Sequence, residues 1–138
     1  MGVIIDTSVF IAGERGTMRF PEFLNALGAE PVAMAAVTAS ELLLGYHRAS
    51  DAGTRVRRAA FVEALIEAMP VLPFGLPEAR RHAELWDQLL RSGTMIGPHD
   101  LLIGATALAQ GYSLATLNRR EFAHVSGLRL IPLDAYLT

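Results

Sequence analysis

The sequence predicts an α/β protein, a sandwich of helices around a mostly parallel central sheet. Short apolar runs alternate along the chain with longer segments of helical apolar spacing, the pattern of strands joined by crossover helices. The first of these runs, Val3-Ile4-Ile5, is β-branched and apolar at every position, as a strand covered on both faces is. A chain of 138 residues, 51% of them apolar, suits one hydrophobic core, so residues 1–138 are expected to form a single domain.

The run Val3-Ile4-Ile5 stops at Asp6-Thr7-Ser8, where a strand ends and a short helix, Val9 to Glu14, begins. Phe20, Phe23, Leu24 and Leu27 give Met18 to Leu27 helical spacing, and Pro31 to Met34 reads as a second strand. Thr38 opens a helix that runs to about Ala49. After the polar stretch Ser50 to Gly53, another helix spans Thr54 to Ala68. Pro70-Val71-Leu72-Pro73 is a short strand between prolines and is therefore peripheral. Glu78 to Arg91 is amphipathic with Gly93 as its stop, and Pro98 opens a helix that Gly111 closes after Gln110. Tyr112 to Leu117 reads as a strand, Asn118 to Phe122 as a turn with a helical character, and Leu128 to Ile131 as the last strand.

Composition removes several function classes. There is no Cys, which excludes disulfides, thiolate nucleophiles and Cys-based zinc sites, so any metal must be held by oxygen or imidazole. Mean hydropathy of +0.32 with 19% charged residues excludes intrinsic disorder, and the apolar surplus points to a subunit interface, hence a homodimer. The N-terminus has no basic segment before its apolar run, so no signal peptide is expected. No apolar run reaches the ~18 residues of a transmembrane helix. The expectation is a cytoplasmic protein with no membrane association. Net charge is −2, and the twelve basic residues are all Arg, which says little about partners by itself.

Four polar residues stand where predicted elements meet. Asp6 ends a strand, Glu41 and Asp100 fall in the first turns of two apolar helices, and Asn118 follows a strand. Each also has a structural explanation. Asp6 suits an N-cap, Thr38-x-x-Glu41 and Asn118-x-x-Glu121 suit capping boxes, and Asp100 complements a helix dipole. In open α/β sheets, however, ligands bind at the carboxyl ends of the strands, where Asp6 and Asn118 lie. If Glu41 and Asp100 point into the same crevice, several ionised carboxylates share one pocket and call for a cation. A hard oxygen cluster without Cys or paired His selects Mg²⁺ or Mn²⁺. Thr7, Ser8 and Thr116 stand beside this region and can hydrogen-bond a carboxylate or a phosphate, although Ser and Thr at helix starts usually cap. His99 adjoins Asp100, but neighbours on a helix point in different directions. His47, His82 and His124 have no ligand spacing, and Trp86 suits core or interface better than base stacking.

The segments Val3-Ile4-Ile5-Asp6-Thr7-Ser8-Val9-Phe10, Thr38-Ala39-Ser40-Glu41-Leu42, Gly97-Pro98-His99-Asp100-Leu101-Leu102-Ile103-Gly104-Ala105-Thr106-Ala107 and Thr116-Leu117-Asn118-Arg119-Arg120-Glu121-Phe122 resemble, in order, the successive motifs of PIN-domain ribonucleases of the VapC toxin type. The resemblance covers essentially the whole chain. It implies a compact, three-layer α/β/α PIN fold and a Mg²⁺- or Mn²⁺-dependent endoribonuclease, a toxin that hydrolyses RNA phosphodiester bonds and is neutralised by a VapB-like antitoxin. Asp6, Glu41 and Asp100 match the family's three acidic positions. Asn118 matches the fourth, where Asp and Asn both occur. A neutral amide there lowers the site charge, so Asn118 suits orienting a water, with Glu121 as a nearby acid that can compensate. On this reading Asp6 and Asp100 contact the ion, Glu41 holds a second ion or a water beside it, and Arg15, Arg19, Arg48, Arg119 and Arg120 are candidate phosphate contacts.

Two other readings compete. An aspartyl-phosphate enzyme also places an Asp after a hydrophobic strand, but position 8 is Ser where a second Asp is expected, and no Gly-x-x-x-x-Gly-Lys loop is present. A catalytically silent PIN-like module that only binds a protein partner is the remaining alternative. Its weakness is the acidic trio, because a scaffold gains nothing from clustered like charges.

Overall fold

A computed structural model describes residues 1–138. Four strands, β1 (Val3–Ile5), β2 (Val32–Ala35), β3 (Val71–Leu72) and β4 (Ser113–Ala115), form one wholly parallel sheet in the order β3-β2-β1-β4. The side chains alternate between two cores, as the strand period of two requires. Val3, Ile5, Met34 and Ala115 enter a core with Phe10, Phe23, Leu42, Val62 and Leu65. Ile4, Ala35 and Leu114 face the other side, with Leu85, Leu89, Ile103, Phe122 and Val125.

The first core is built with helices α1 (Thr7–Arg15), α2 (Phe20–Leu27), α3 (Ala36–His47) and α4 (Ala52–Ala68). The second is built with α5 (Leu76–Ser92), α6 (Pro98–Gln110) and the short α7 (Arg119–Phe122). A 3-10 turn (Asp134–Tyr136) closes the chain. The expected three layers and parallel sheet are therefore present, with β3 on the edge as its flanking prolines predict. Gly93 and Gly111 take left-handed φ values of 70° and 68° and end α5 and α6, a conformation cheap only for glycine. No helix is long and apolar enough to cross a membrane.

Two expectations need correction. Leu128–Ile131 is not a full strand: Leu130 makes a single parallel bridge to Leu114, and Pro132, which lacks an N–H, follows at once. Helix α3 begins at Ala36 rather than Thr38, because β2 runs directly into it through Ala35 with no capping side chain. Thr38 is thus inside the helix, fully buried, and its hydroxyl has no partner. Glu41 lies beyond the first turn, so the capping box expected of Thr38 and Glu41 is not formed.

The chain leaves β1 toward β2 on one side, while β4 lies on the other side of β1. Asp6 follows β1 and Thr116 follows β4, so both stand at the carboxyl end of the sheet where its winding reverses, the usual ligand crevice of such sheets.

Candidate active site

Asp6 occupies the N-cap position of α1 but makes no capping hydrogen bond. Its side chain turns to β4 instead. Oδ2 accepts from Ser8 Oγ at 2.7 Å and from Thr116 Oγ1 at 2.8 Å, and the residue is only 4% exposed. Those hydroxyls are fixed in turn by backbone N–H groups, Leu117 N donating to Ser8 Oγ at 3.0 Å and Asn118 N to Thr116 Oγ1 at 2.9 Å. Both side-chain donors converge on Oδ2, which leaves the second oxygen for another partner.

Asn118 precedes α7 and likewise makes no side-chain cap. Its Nδ2 donates to Asp100 Oδ2 at 2.9 Å, which joins the end of β4 to the first turn of α6. The capping box expected of Asn118 and Glu121 is replaced by a different bond. Glu121 Oε1 accepts from Gly97 N at 2.7 Å and so holds the loop from which α6 starts. Glu41 comes from α3, and its two oxygens accept from Thr7 Oγ1 at 2.6 Å and His99 Nδ1 at 3.2 Å.

These bonds bring all four sequence-predicted residues to one end of the sheet. Glu41 and Asp100 line an open cleft with Gly97, Pro98 and His99. Asp6 is not among its lining residues, but its charge acts on Asp100. Burial first, then the carboxylates of Asp6, Glu121 and Glu41, push Asp100 up to about 6, against the opposing hydrogen bond from Asn118. No Arg neutralises this group. The two ion pairs with Arg are Arg81 with Glu84 and Arg91 with Asp87, both on α5.

An all-oxygen, acid-rich donor set with little countercharge suits a hard divalent cation. No three acidic or imidazole side chains stand close enough to surround one ion unaided. That arrangement fits Mg²⁺, which commonly uses one or two carboxylates and keeps several waters.

Of the candidate phosphate contacts, Arg19 donates to the Ala135 carbonyl and Arg119 to the Ile131 carbonyl at 3.0 Å, so both serve the fold. Arg15 lines a groove that contains Glu41, beside Ile11, Leu42, Phe61 and Val62. Arg58, overlooked in the sequence, lines the same groove, and only the packing of α4 on α3 brings it there. His99, adjoining Asp100 in the sequence, lines the same cleft as Asp100, and its Nδ1 reaches Glu41.

The model of the PIN domain family matches residues 3–128. "Ribonuclease VapC1" of Rickettsia felis is 36% identical over 135 residues, 98% of either chain. "tRNA(fMet)-specific endonuclease VapC" of Salmonella typhimurium is 30% identical over 104 residues, 75% of this chain and 76% of that one. Among solved structures, the VapBC-5 toxin-antitoxin structure from Mycobacterium tuberculosis matches at 29% identity with a TM-score of 0.75, covering 95% of this chain and 98% of that one. The DNA-bound VapBC2 structure from Rickettsia felis shares the fold at a TM-score of 0.88 and 22% identity, covering 97% and 100%. With the acids of three motifs and the amide of the fourth gathered at one end of the sheet, the chain belongs to the PIN-domain family, among the VapC ribonucleases.

Proposed function

We propose that the chain is a Mg²⁺- or Mn²⁺-dependent endoribonuclease, the toxin of a toxin-antitoxin pair, acting in the cytoplasm as one domain and neutralised by a VapB-like antitoxin. The observation that carries this is the convergence of Asp6, Glu41, Asp100 and Asn118, each tied down by hydrogen bonds from other elements of the chain. Capping leaves this pattern unexplained, since neither Asp6 nor Asn118 caps a helix through its side chain. The full-length likeness to a VapC ribonuclease supports the same reading, and the likeness over three quarters of the chain to a tRNA-specific VapC favours structured RNA as substrate.

In this mechanism Asp6 and Asp100 are the residues that would hold the ion. When bound, the ion supplies countercharge to the scissile phosphate and makes hydroxide accessible near neutral pH. Glu41, fixed from α1 and α6, would complete the acidic surroundings of the cation, holding a second ion or a water beside it whose proton it accepts. Asn118 keeps Asp100 turned into the cleft, and its amide adds no charge to a site already crowded with carboxylates. Arg15 stands in the groove that adjoins Glu41, where it meets flanking phosphates of the RNA, and Arg58 lines the same groove while donating to the Gly45 carbonyl at 3.4 Å.

The antitoxin occupies that same groove with an amphipathic helix, because its apolar wall of Ile11, Leu42, Phe61 and Val62 leads directly to Glu41. Inhibition then combines occlusion with charge neutralisation. A second copy of the chain covers the exposed apolar residues of α5, forming a homodimer.

The test is incubation of the partner-free protein with total RNA in Mg²⁺, Mn²⁺ or EDTA, with mapping of new 5′ ends. Cleavage should require the cation and fall at least ~10²-fold in Asp6→Asn and Asp100→Asn, the scale of an essential electrostatic group. Undiminished cleavage in EDTA, or by either folded variant, overturns the proposal.

A further inference from the structure

Glu41 is the one acid of the site whose carboxylate receives hydrogen bonds on both oxygens from two different helices. Thr7 Oγ1 donates to Oε1 from the first residue of α1, and His99 Nδ1 approaches Oε2 from the first turn of α6. A carboxylate is acceptor only, so the bond fixes the proton on Nδ1 of His99. The placement of the two donors gives the arrangement its meaning. Thr7 directly follows Asp6, and His99 directly precedes Asp100. Each donor therefore ties Glu41 to the backbone that carries another acid of the site.

Without such ties a glutamate on α3 would sample several rotamers over the open cleft, since its side chain is still 32% exposed. We propose that Thr7 and His99 are positioning residues, a two-sided clamp that sets the Glu41 carboxylate at a fixed place relative to Asp6 and Asp100 and so pre-organises the cation site. The inference rests on the metal-dependent reading above and adds to it the residues that shape the site. His99 itself contacts neither ion nor RNA in this role. Outer-shell partners of metal-site carboxylates act in this way, by fixing the orientation of the group that does the binding.

Asn carries its amide nitrogen where His carries Nδ1, whereas Gln places it nearer Nε2. His99→Asn is thus the conservative variant and His99→Gln the control. Thr7→Ser keeps the hydroxyl, and Thr7→Val removes it at constant shape. Two measurements on the full chain decide the matter. In metal-free protein at about pH 8, ¹⁵N spectra of the imidazole should show His99 with its proton on Nδ1, moving to Nε2 in Glu41→Ala. Manganese titrations followed by electron paramagnetic resonance should show affinity about 10-fold weaker in His99→Ala and Thr7→Val, and restored to within about twofold of wild type by His99→Asn and Thr7→Ser but not by His99→Gln. An Nε2-protonated His99 that ignores Glu41→Ala overturns the clamp, and so does unchanged Mn²⁺ affinity in His99→Ala. A folded wild type that takes up no Mn²⁺ overturns the metal-dependent reading instead, while the imidazole spectrum still decides whether the clamp exists.

Discussion

Asp6 and Asp100 have the same chemistry but opposite surroundings. Asp6 has two hydroxyl donors on one oxygen. Asp100 has a single amide donor and sits within reach of three other carboxylates, which together with burial raises it to about 6. A carboxyl raised above its unfolded value near 3.9 holds its proton more tightly in the folded state. Stability then falls as pH rises from about 4 to about 6 and stays lower above that window. Asp100→Asn removes the penalty, so in EDTA at pH 7 the variant should be more stable than wild type by on the order of 1 kcal/mol, a figure discounted for a half-exposed group. The difference should vanish near pH 4. Added Mg²⁺ should reverse the order, since a ligand bound only by the folded site at about 100 times its Kd stabilises by roughly 2.7 kcal/mol. Denaturant unfolding at the two pH values, with and without Mg²⁺, checks both signs. A difference independent of pH would show that repulsion around Asp100 is not its cause.

At the scale of elements, much of the architecture was legible in the sequence. The run of β1 has no polar position to expose, β4 carries only a buried serine, Ser113, among apolar residues, and Pro98, Gly93 and Gly111 mark helix ends with residues whose backbone preferences leave little choice. The start of α3 was illegible because Ala35 and Ala36 pass from strand to helix without a polar cap, which let Thr38 imitate one. Site residues were legible by position and by family resemblance, their partners much less so. Glu41 meets Thr7 and His99 across 34 and 58 residues, distances over which no local period operates. Glu78 teaches the same point. It lies in the first turn of α5 and is 3% exposed, accepting from Gly75 N at 2.8 Å and from Gln110 Nε2 at 2.7 Å, so it caps α5 and ties it to the end of α6. Chiefly the Gly75 N–H holds its carboxyl below the ordinary range. Glu78→Ala should cost about 1–3 kcal/mol at pH 7, the penalty for stranding buried donors. Part of that loss should disappear in acid, because the wild-type carboxylate's charge-dependent contribution is present above about pH 4.3 and lost as pH falls through its lower folded value. Urea unfolding of the two proteins at pH 7 and pH 3 measures this, and an undiminished gap at pH 3 would mean that shape rather than charge holds the helix end.

At the scale of the whole molecule, two apolar surfaces stay open once the sheet is covered on both sides, one beside Glu41 and one along α5. The groove beside Glu41 mixes Arg15, Arg58 and Glu14 with apolar wall, as a site for a charged amphipathic partner should. The α5 face is different. Trp86 is 47% exposed, Leu90 60% and Met95 52%, and a groove of about 220 Å³ between α5 and α6 is lined by His82, Trp86, Met95, Ile96, Pro98, Leu101 and Leu102. Such a surface, almost without polar groups, is what an interface core looks like before it is buried. The chain exposes 7619 Å², so an ordinary dimer, at roughly 800 Å² per partner, would cover about a tenth of it. A net charge of −2 per copy opposes pairing only weakly. Burying one large apolar side chain contributes roughly 1.5–3 kcal/mol, so replacing Leu90 by Glu in both copies, with a carboxylate left in an apolar contact, exceeds what a micromolar dimer can absorb. The wild type should therefore behave as a dimer in light scattering at micromolar concentration, and Leu90→Glu as a folded monomer with an unchanged circular dichroism spectrum. A monomeric wild type would refute the dimer outright. A Leu90→Glu protein that remains dimeric would place the partner copy on another face and return the α5 surface to solvent.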